Sequence, residues 1–164
     1  MFESLPDIPR LFTALAEWGA ALVYVLVVAR SASSNALNPN AAIPRWRLAV
    51  AAVGGLVVLA GAQELLGRAP LSLWVPGMMT AYALMWCVIR VGTALDWRWV
   101  THMSARAFIV AELAASLAWQ VVVYSHANKP YWHPLSFGGF AAIAATCLAV
   151  VYFFERRIYR QGAL

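Results

Sequence analysis

Five apolar runs, each about 20 residues long, are the feature that most constrains how this chain can fold. They cover approximately residues 11–29, 48–66, 73–95, 105–125 and 135–154, and the segments between them hold most of the prolines, serines and asparagines. A helix of about 20 apolar residues is long enough to cross the hydrocarbon core of a bilayer. The sequence therefore predicts an all-α integral membrane protein, with residues 1–164 forming a single domain that is a bundle of five transmembrane helices.

The composition supports this prediction and excludes other classes. Hydrophobic residues make up 63% of the chain and charged residues 12%, whereas soluble domains have about 45–50% and about 25%. A soluble protein of this length has too small an interior to bury so much apolar surface. The positive charges lie singly or in pairs and form no stripe that would follow a phosphate backbone. We therefore expect the lipid bilayer as a partner and no nucleic acid.

The distribution of positive charge predicts the orientation of the bundle. With five spans, the side that holds the N-terminus carries three of the 12 Lys and Arg residues, namely Arg10, Arg68 and Lys129, and the opposite side carries nine. Lys and Arg are enriched in cytoplasmic segments next to membrane helices. This bias predicts an N-terminus outside the cytoplasm and a cytoplasmic C-terminus, and the expected location is a bacterial inner (plasma) membrane.

Small residues at helical spacing predict where helices approach one another. In lipid, apolar side chains give little preference for helix over lipid, so Gly, Ala, Ser and Thr mark close contacts. Such residues form stripes on three of the runs: Ala16 and Ala20 on the first, Ala107, Ala111 and Ala115 on the fourth, and both Gly138, Ala142, Thr146 and Ala141, Ala145, Ala149 on the fifth. The two stripes on the fifth run suggest contacts with neighbours on two sides, either within the bundle or with another subunit.

Polar residues inside the runs are the candidates for function, because an ionisable group in a membrane helix is costly and is usually functional. The candidates are Glu17, Gln63, Glu64, Glu112, Ser116, Gln120 and Arg90. Glu64 is four residues from Arg68, a spacing suited to an ion pair at a helix end. Arg90 is expected either to extend to the inner interface or to pair with Glu112. For Glu17 and Glu112, a structural polar contact and a functional role remain equally open.

The functional interpretation of these residues is specific. Glu17, Gln63, Glu64 and Gln120 all fall in the half of the membrane near the N-terminus, so bundling is expected to bring them around one outward-facing cavity. Glu112 and Ser116 would continue the same face inward. Such a cluster suits a cation or proton path, or a polar ligand site between helices.

The segment at residues 125–134 gives a second set of candidates, His126, Tyr131, Trp132 and His133. Two histidines without a nearby third ligand do not make a typical metal site, and we predict no metal there. The segment is expected to anchor the bundle at the outer interface and to present a surface for a partner or ligand. No cofactor is expected, because no histidine falls within a run to ligate haem, and Cys87 and Cys147 form no CxxC motif.

The function class follows from these observations. The sequence has no P-loop, GxSxG or HExxH motif, and each would be a mark of a known catalytic mechanism. We therefore expect a small non-enzymatic membrane subunit that acts by assembly. It would be either a homo-oligomeric channel or transport-like protein, or a scaffold subunit of a larger membrane complex with other membrane subunits. The alternative is a ligand-binding or catalytic helical bundle with an outward-facing polar site.

Overall fold

The structure consists of helices joined by short connections. A computed structural model describes residues 8–34, 43–93, 95–125 and 134–160. Within these ranges the chain is all-helical, and five helices are long and apolar enough to cross a membrane, as the sequence predicted. We number them α1 (Arg10–Ser34), α2 (Arg45–Leu66), α3 (Trp74–Thr93), α4 (Trp97–Ser125) and α5 (Pro134–Arg160).

Four of the five helices extend beyond the apolar runs that predicted them, and the fourth and fifth extend the furthest. The fourth begins at Trp97, although its apolar run begins near residue 105, and the fifth continues to Arg160, although its run ends near residue 154. The apolar run marks the part of a helix that lies in hydrocarbon, and backbone hydrogen bonding continues past it into the polar interface. The helices alternate in direction, so Arg10, Leu66 and Trp74 share one end of the bundle, the Arg10 end. The opposite end, the Arg30 end, holds Arg30 and Trp97.

The first helix lies at the centre of the bundle. It packs against all four other helices, which surround it in the order α2, α3, α4 and α5. Of its most apolar segment 61% is buried, compared with 11% for that of α5. Small residues permit this position, because Ala14, Ala16, Ala20 and Ala21 are all buried and let neighbouring backbones approach closely.

A glycine on α3 sets how closely that helix approaches the centre. A methyl group placed on Gly92 would lie 2.7 Å from Cγ2 of Val25 on α1 and 3.1 Å from Cβ of Ala51 on α2. These distances are shorter than van der Waals contact, and neither neighbour lies at the end of a flexible chain. Only glycine therefore fits where α1, α2 and α3 meet.

A local irregularity in α2 helps to hold it against α1. The helix is α-helical at Arg45–Ala49 and at Gly55–Leu66, with a π-helical turn at Val50–Gly54 between them. Nε1 of Trp18 on α1 donates a hydrogen bond to the carbonyl oxygen of Ala52 in this turn, at 2.7 Å. Turns of this kind widen a helix locally and expose its carbonyl oxygens to neighbours. The bond fixes the register of α1 and α2 next to Glu17.

The small-residue stripes are buried on two helices and exposed on a third. On α4, Ala107, Ala111 and Ala115 are buried in the main hydrophobic core together with Ala16 and Ala20 of α1, so these stripes mark an internal contact as predicted. On α5, both stripes are exposed, and their members are Gly138, Ala141, Ala142, Ala145, Thr146 and Ala149. The side of α5 that faces the bundle instead carries Phe140 and Ala144. The α5 stripes therefore face outward from the bundle.

Candidate functional site

The central helix carries a carboxyl group in the interior of the bundle. Glu17 on α1 is fully buried, and Nε2 of Gln63 on α2 donates a hydrogen bond to its Oε1 at 2.6 Å. Gln63 is itself only 4% exposed. The structure thus joins two of the predicted candidates into one buried pair that bridges two helices.

This pair leaves part of the carboxyl group without a partner. Oε2 of Glu17 is buried and has no hydrogen-bond partner among the described residues, and no basic side chain in that part of the chain forms an ion pair with Glu17. An ionised carboxylate without a counter-charge is strongly disfavoured in an apolar interior, because burial removes its hydration. A proton, a cation or a bound water at this unpartnered oxygen would therefore stabilise the group.

A cleft at the Arg10 end leads to this pair. It has a volume of about 70 Å³, and Gln63 forms part of its wall. The remaining lining residues combine one guanidinium with mostly apolar side chains and are Arg10, Leu66, Ala69, Pro70, Leu73, Trp74, Gly77 and Met78. Since one water occupies about 30 Å³ in the liquid, the cleft has room for water. Gln63 thus touches the cleft on one side and Glu17 on the other.

A second carboxyl group lies on a helix that packs against α1. Glu112 on α4 is half-buried, and its Oε1 is buried without a hydrogen-bond partner among the described residues. The helices that carry the two carboxyl groups, α1 and α4, pack against one another. Ser116 is half-buried one turn further along α4, whereas Gln120 is exposed. The predicted face therefore contributes Glu112 to the cluster, and Gln120 lies apart from it.

Two charged candidates lie away from the buried pair. Glu64 is exposed and forms an ion pair with Arg68, with Nη2 and Oε1 3.0 Å apart, as their spacing predicted. Arg90 is exposed, and its Nη1 donates to the carbonyl oxygen of Leu95 rather than to Glu112. Both side chains thus make local contacts near the end of their own helix.

The remaining candidates cannot be placed in this arrangement. His126, Tyr131, Trp132 and His133 lie outside the described residues. Among the described residues, no group of three or more His, Cys, Asp or Glu side chains has an arrangement that could hold a metal ion. The described part of the chain thus contributes carboxyl, amide and hydroxyl groups, and these suit hydrogen-bond and proton chemistry.

A further polar cluster, which the sequence did not reveal, lies nearer the Arg30 end. Glu155 on α5 is only 3% exposed, and the hydroxyl of Tyr24 on α1 donates to its Oε1 at 3.0 Å. The same oxygen forms an ion pair with Nη2 of Arg106 on α4. Oε2 of Glu155 is buried and has no hydrogen-bond partner among the described residues. Glu155 was missed because it follows the fifth apolar run and precedes Arg156 and Arg157, a pattern typical of a solvated helix end.

The bundle therefore holds polar groups at two levels. Glu17, Gln63 and Glu112 form the first level, and Tyr24, Arg106 and Glu155 form the second. Glu17 and Tyr24 lie about 10 Å apart along α1, at about 1.5 Å per residue. Each of the three carboxyl groups keeps one buried oxygen without a described partner.

Comparisons with protein-family models, with curated proteins and with solved structures give no match for this chain.

Proposed function

We propose that this chain is a non-enzymatic, multi-pass membrane subunit of a transport-like assembly, and that it binds a proton at Glu17. The observation that carries the proposal is the buried carboxyl group of Glu17, with its unpartnered Oε2 and its link through Gln63 to an open cleft. A subunit that acted only as a scaffold would have no need of such a group, and apolar packing would serve it better. Channel or transport-like function is therefore favoured over a scaffold role.

A proton fits this site better than a metal ion does. Calcium takes six to eight oxygen ligands, and magnesium requires a nearly octahedral shell. The first level offers two orphan carboxyl oxygens, one from Glu17 and one from Glu112, and a neighbouring amide. A proton needs only one of those oxygens. The ligand set therefore supports proton binding.

The surface of α5 supports the proposed assembly. Because α1 fills the centre of the bundle, we expect that a wide path would need more than one copy or a further subunit. The exposed small-residue stripes of α5, such as Gly138 and Ala142, form a face on which another membrane helix can pack closely. We propose that this face meets either a second copy of the chain or another membrane subunit.

The expected orientation places the cleft outside a bacterial inner membrane, and cysteine labelling tests it. In a background with Cys87→Ser and Cys147→Ser, Arg68→Cys is expected to react with a membrane-impermeant maleimide on intact cells. Arg98→Cys is expected to react only after permeabilisation, because the positive-inside bias places it in the cytoplasm. Both positions are exposed, so access depends on topology. Labelling in the reverse pattern would place the cleft on the cytoplasmic side.

Infrared spectroscopy of the purified protein tests whether Glu17 carries a proton. We expect the wild type at neutral pH to show the carbonyl stretch of a protonated carboxyl in an apolar setting, and Glu17→Gln to lose that band. Glu64→Gln is the matched control and should keep it, because Glu64 is exposed and paired with Arg68. Circular dichroism would check that each variant remains helical. A folded Glu17→Gln variant with an unchanged band would overturn the proposal.

A second candidate function is a ligand-binding bundle at the outer face. It is favoured by the cleft itself, because Arg10, Trp74 and Gln63 all line it. Such a site would bind a small polar molecule with an apolar part, and Glu17 would fix the orientation of Gln63 from behind. In the infrared experiment, this candidate predicts an ionised Glu17 whose carboxylate band changes when a ligand occupies the cleft.

A further inference from the structure

We propose that the second polar level, formed by Tyr24, Arg106 and Glu155, receives the proton from the first, so that protons cross the bundle through Glu17 and Glu155. This inference rests on the proposed proton binding at Glu17 and extends it from a binding site to a path. It assigns to Glu155 the role of the carboxyl group that exchanges protons with the Arg30 side.

The hydrogen bonding of Glu155 supports this role. Its Oε1 accepts a hydrogen bond from the hydroxyl of Tyr24 and forms an ion pair with the guanidinium of Arg106. Its Oε2 is buried and receives no donor from the described residues. A purely structural ion pair is most favourable when the remaining lone pairs are also satisfied. The free oxygen leaves one position at which a proton can be added without breaking the existing contacts.

Arg106 extends the second level toward the outside of the bundle. Its side chain is 37% exposed, whereas that of Glu155 is 4% exposed. Arg106 thus joins the buried Glu155 to the exterior of the bundle near the Arg30 end.

Between the two levels, small side chains lie on the faces where α1 and α4 meet, while Leu148 of α5 packs against Gly19 of α1 on another side. The small side chains are all buried and belong to Ala20 and Ala21 on α1 and to Ala107 and Ala111 on α4. The distance of about 10 Å along α1 corresponds to about three hydrogen-bonded water molecules at about 2.8 Å each. Alanine has the smallest side chain of any residue except glycine, so these positions fill little of the space between the levels. A small separation of α1 and α4 is thus enough to admit such a chain of water.

The transfer conserves charge and requires no other reactant. At each step an O–H bond breaks on the donor and forms on the acceptor, which is a water or a carboxylate oxygen. The carboxyl group that releases the proton becomes a carboxylate, and the one that accepts it becomes neutral. No electrons are exchanged. Glu155 returns to its initial state when its proton leaves, and Glu17 returns to its own when it takes up a new proton from water in the cleft at the Arg10 end.

Proton flux into liposomes tests the path. Vesicles with purified protein and an internal pH-sensitive dye would be given a potassium diffusion potential with valinomycin. We expect the wild type to acidify the interior faster than empty vesicles, and both Glu17→Gln and Glu155→Gln to slow this flux by about tenfold or more. Glu64→Gln should retain the wild-type rate, since Glu64 lies on the surface in a pair with Arg68.

The outcomes separate this inference from the proposed function. If Glu155→Gln conducts as fast as the wild type while Glu17 shows its infrared band, the path through Glu155 is wrong and proton binding at Glu17 stands. If the wild type conducts no faster than empty vesicles, the path is likewise overturned. If Glu155→Gln fails to fold, Tyr24→Phe replaces it, because this variant keeps the ring and removes a donor to Glu155. A wild-type rate in folded Tyr24→Phe would then contradict the role of the second level.

Discussion

Replacing Arg106 by Met is expected to lower the free energy of unfolding by about 3 kcal/mol, measured by titration with a denaturing detergent. Removing one partner of a buried ion pair leaves the other charge uncompensated, and that loss is about 3–5 kcal/mol. The lower end of this range applies, because the side chain of Arg106 is 37% exposed and solvent screens part of the interaction. Methionine keeps most of the length of the side chain, so the loss reports the charge rather than a cavity.

The double variant Arg106→Met/Glu155→Gln separates the charge from the packing. It removes the uncompensated carboxylate and is expected to recover more than half of the lost stability. The matched control is Arg68→Met, since Arg68 pairs with Glu64 at the surface with both side chains mostly exposed. An exposed ion pair contributes at most about 1 kcal/mol, so that variant should lose less than this. Equal losses in Arg106→Met and Arg68→Met would show that Glu155 is not buried in a low-dielectric setting.

The number and approximate position of the helices could be predicted from the sequence, because run length alone determines whether a helix can cross a bilayer. Their arrangement could not. In lipid, an apolar side chain is compatible with both a lipid-facing and a helix-facing position. Val57 and Leu59 are both apolar residues in the middle of the second run. Leu59 is nevertheless fully buried, whereas Val57 is 65% exposed. Nothing local indicated that α1 would be central.

The small-residue stripes show the same limit. Ala107 and Ala111 on α4 were expected at a helix contact, and they are buried against α1. Ala141 and Ala145 on α5 form a stripe of the same kind but are exposed. Spacing reveals that a face permits close approach, and it does not reveal whether a helix of the same chain occupies that face.

The candidate site was predicted in part, for a clear physical reason. Glu17 and Gln63 are polar residues within apolar runs, so the sequence marks them as groups that need a partner. Glu155 carries no such mark, because Arg156 and Arg157 follow it and a charged residue at a helix end is normally solvated. Its burial depends on Tyr24 and Arg106, which come from two other helices. Tertiary contacts of this kind cannot be read from local sequence.

Replacing Ala107 by Leu is expected to be at least as damaging as the loss of Arg106, with a decrease of about 3 kcal/mol in the free energy of unfolding. Ala107 is fully buried on the face of α4 that meets α1. A leucine there adds three carbon atoms to a contact between two closely packed helices, and overpacking costs about 1–3 kcal/mol or more. The upper end applies because α1 also packs against the three other helices, so a permanent displacement that makes room for a leucine disturbs those contacts as well.

The matched control for this substitution lies two residues away. Ala105→Leu adds the same atoms on the same helix at an exposed position, and surface changes usually stay within about 0.5 kcal/mol. A large difference between the two variants in detergent titration would show that α4 packs closely on α1. If Ala107→Leu is as stable as Ala105→Leu, then α4 lies further from α1 than the structure places it. In that case Arg106 and Tyr24 could not both reach Glu155, and the second polar level would lose its basis together with the packing.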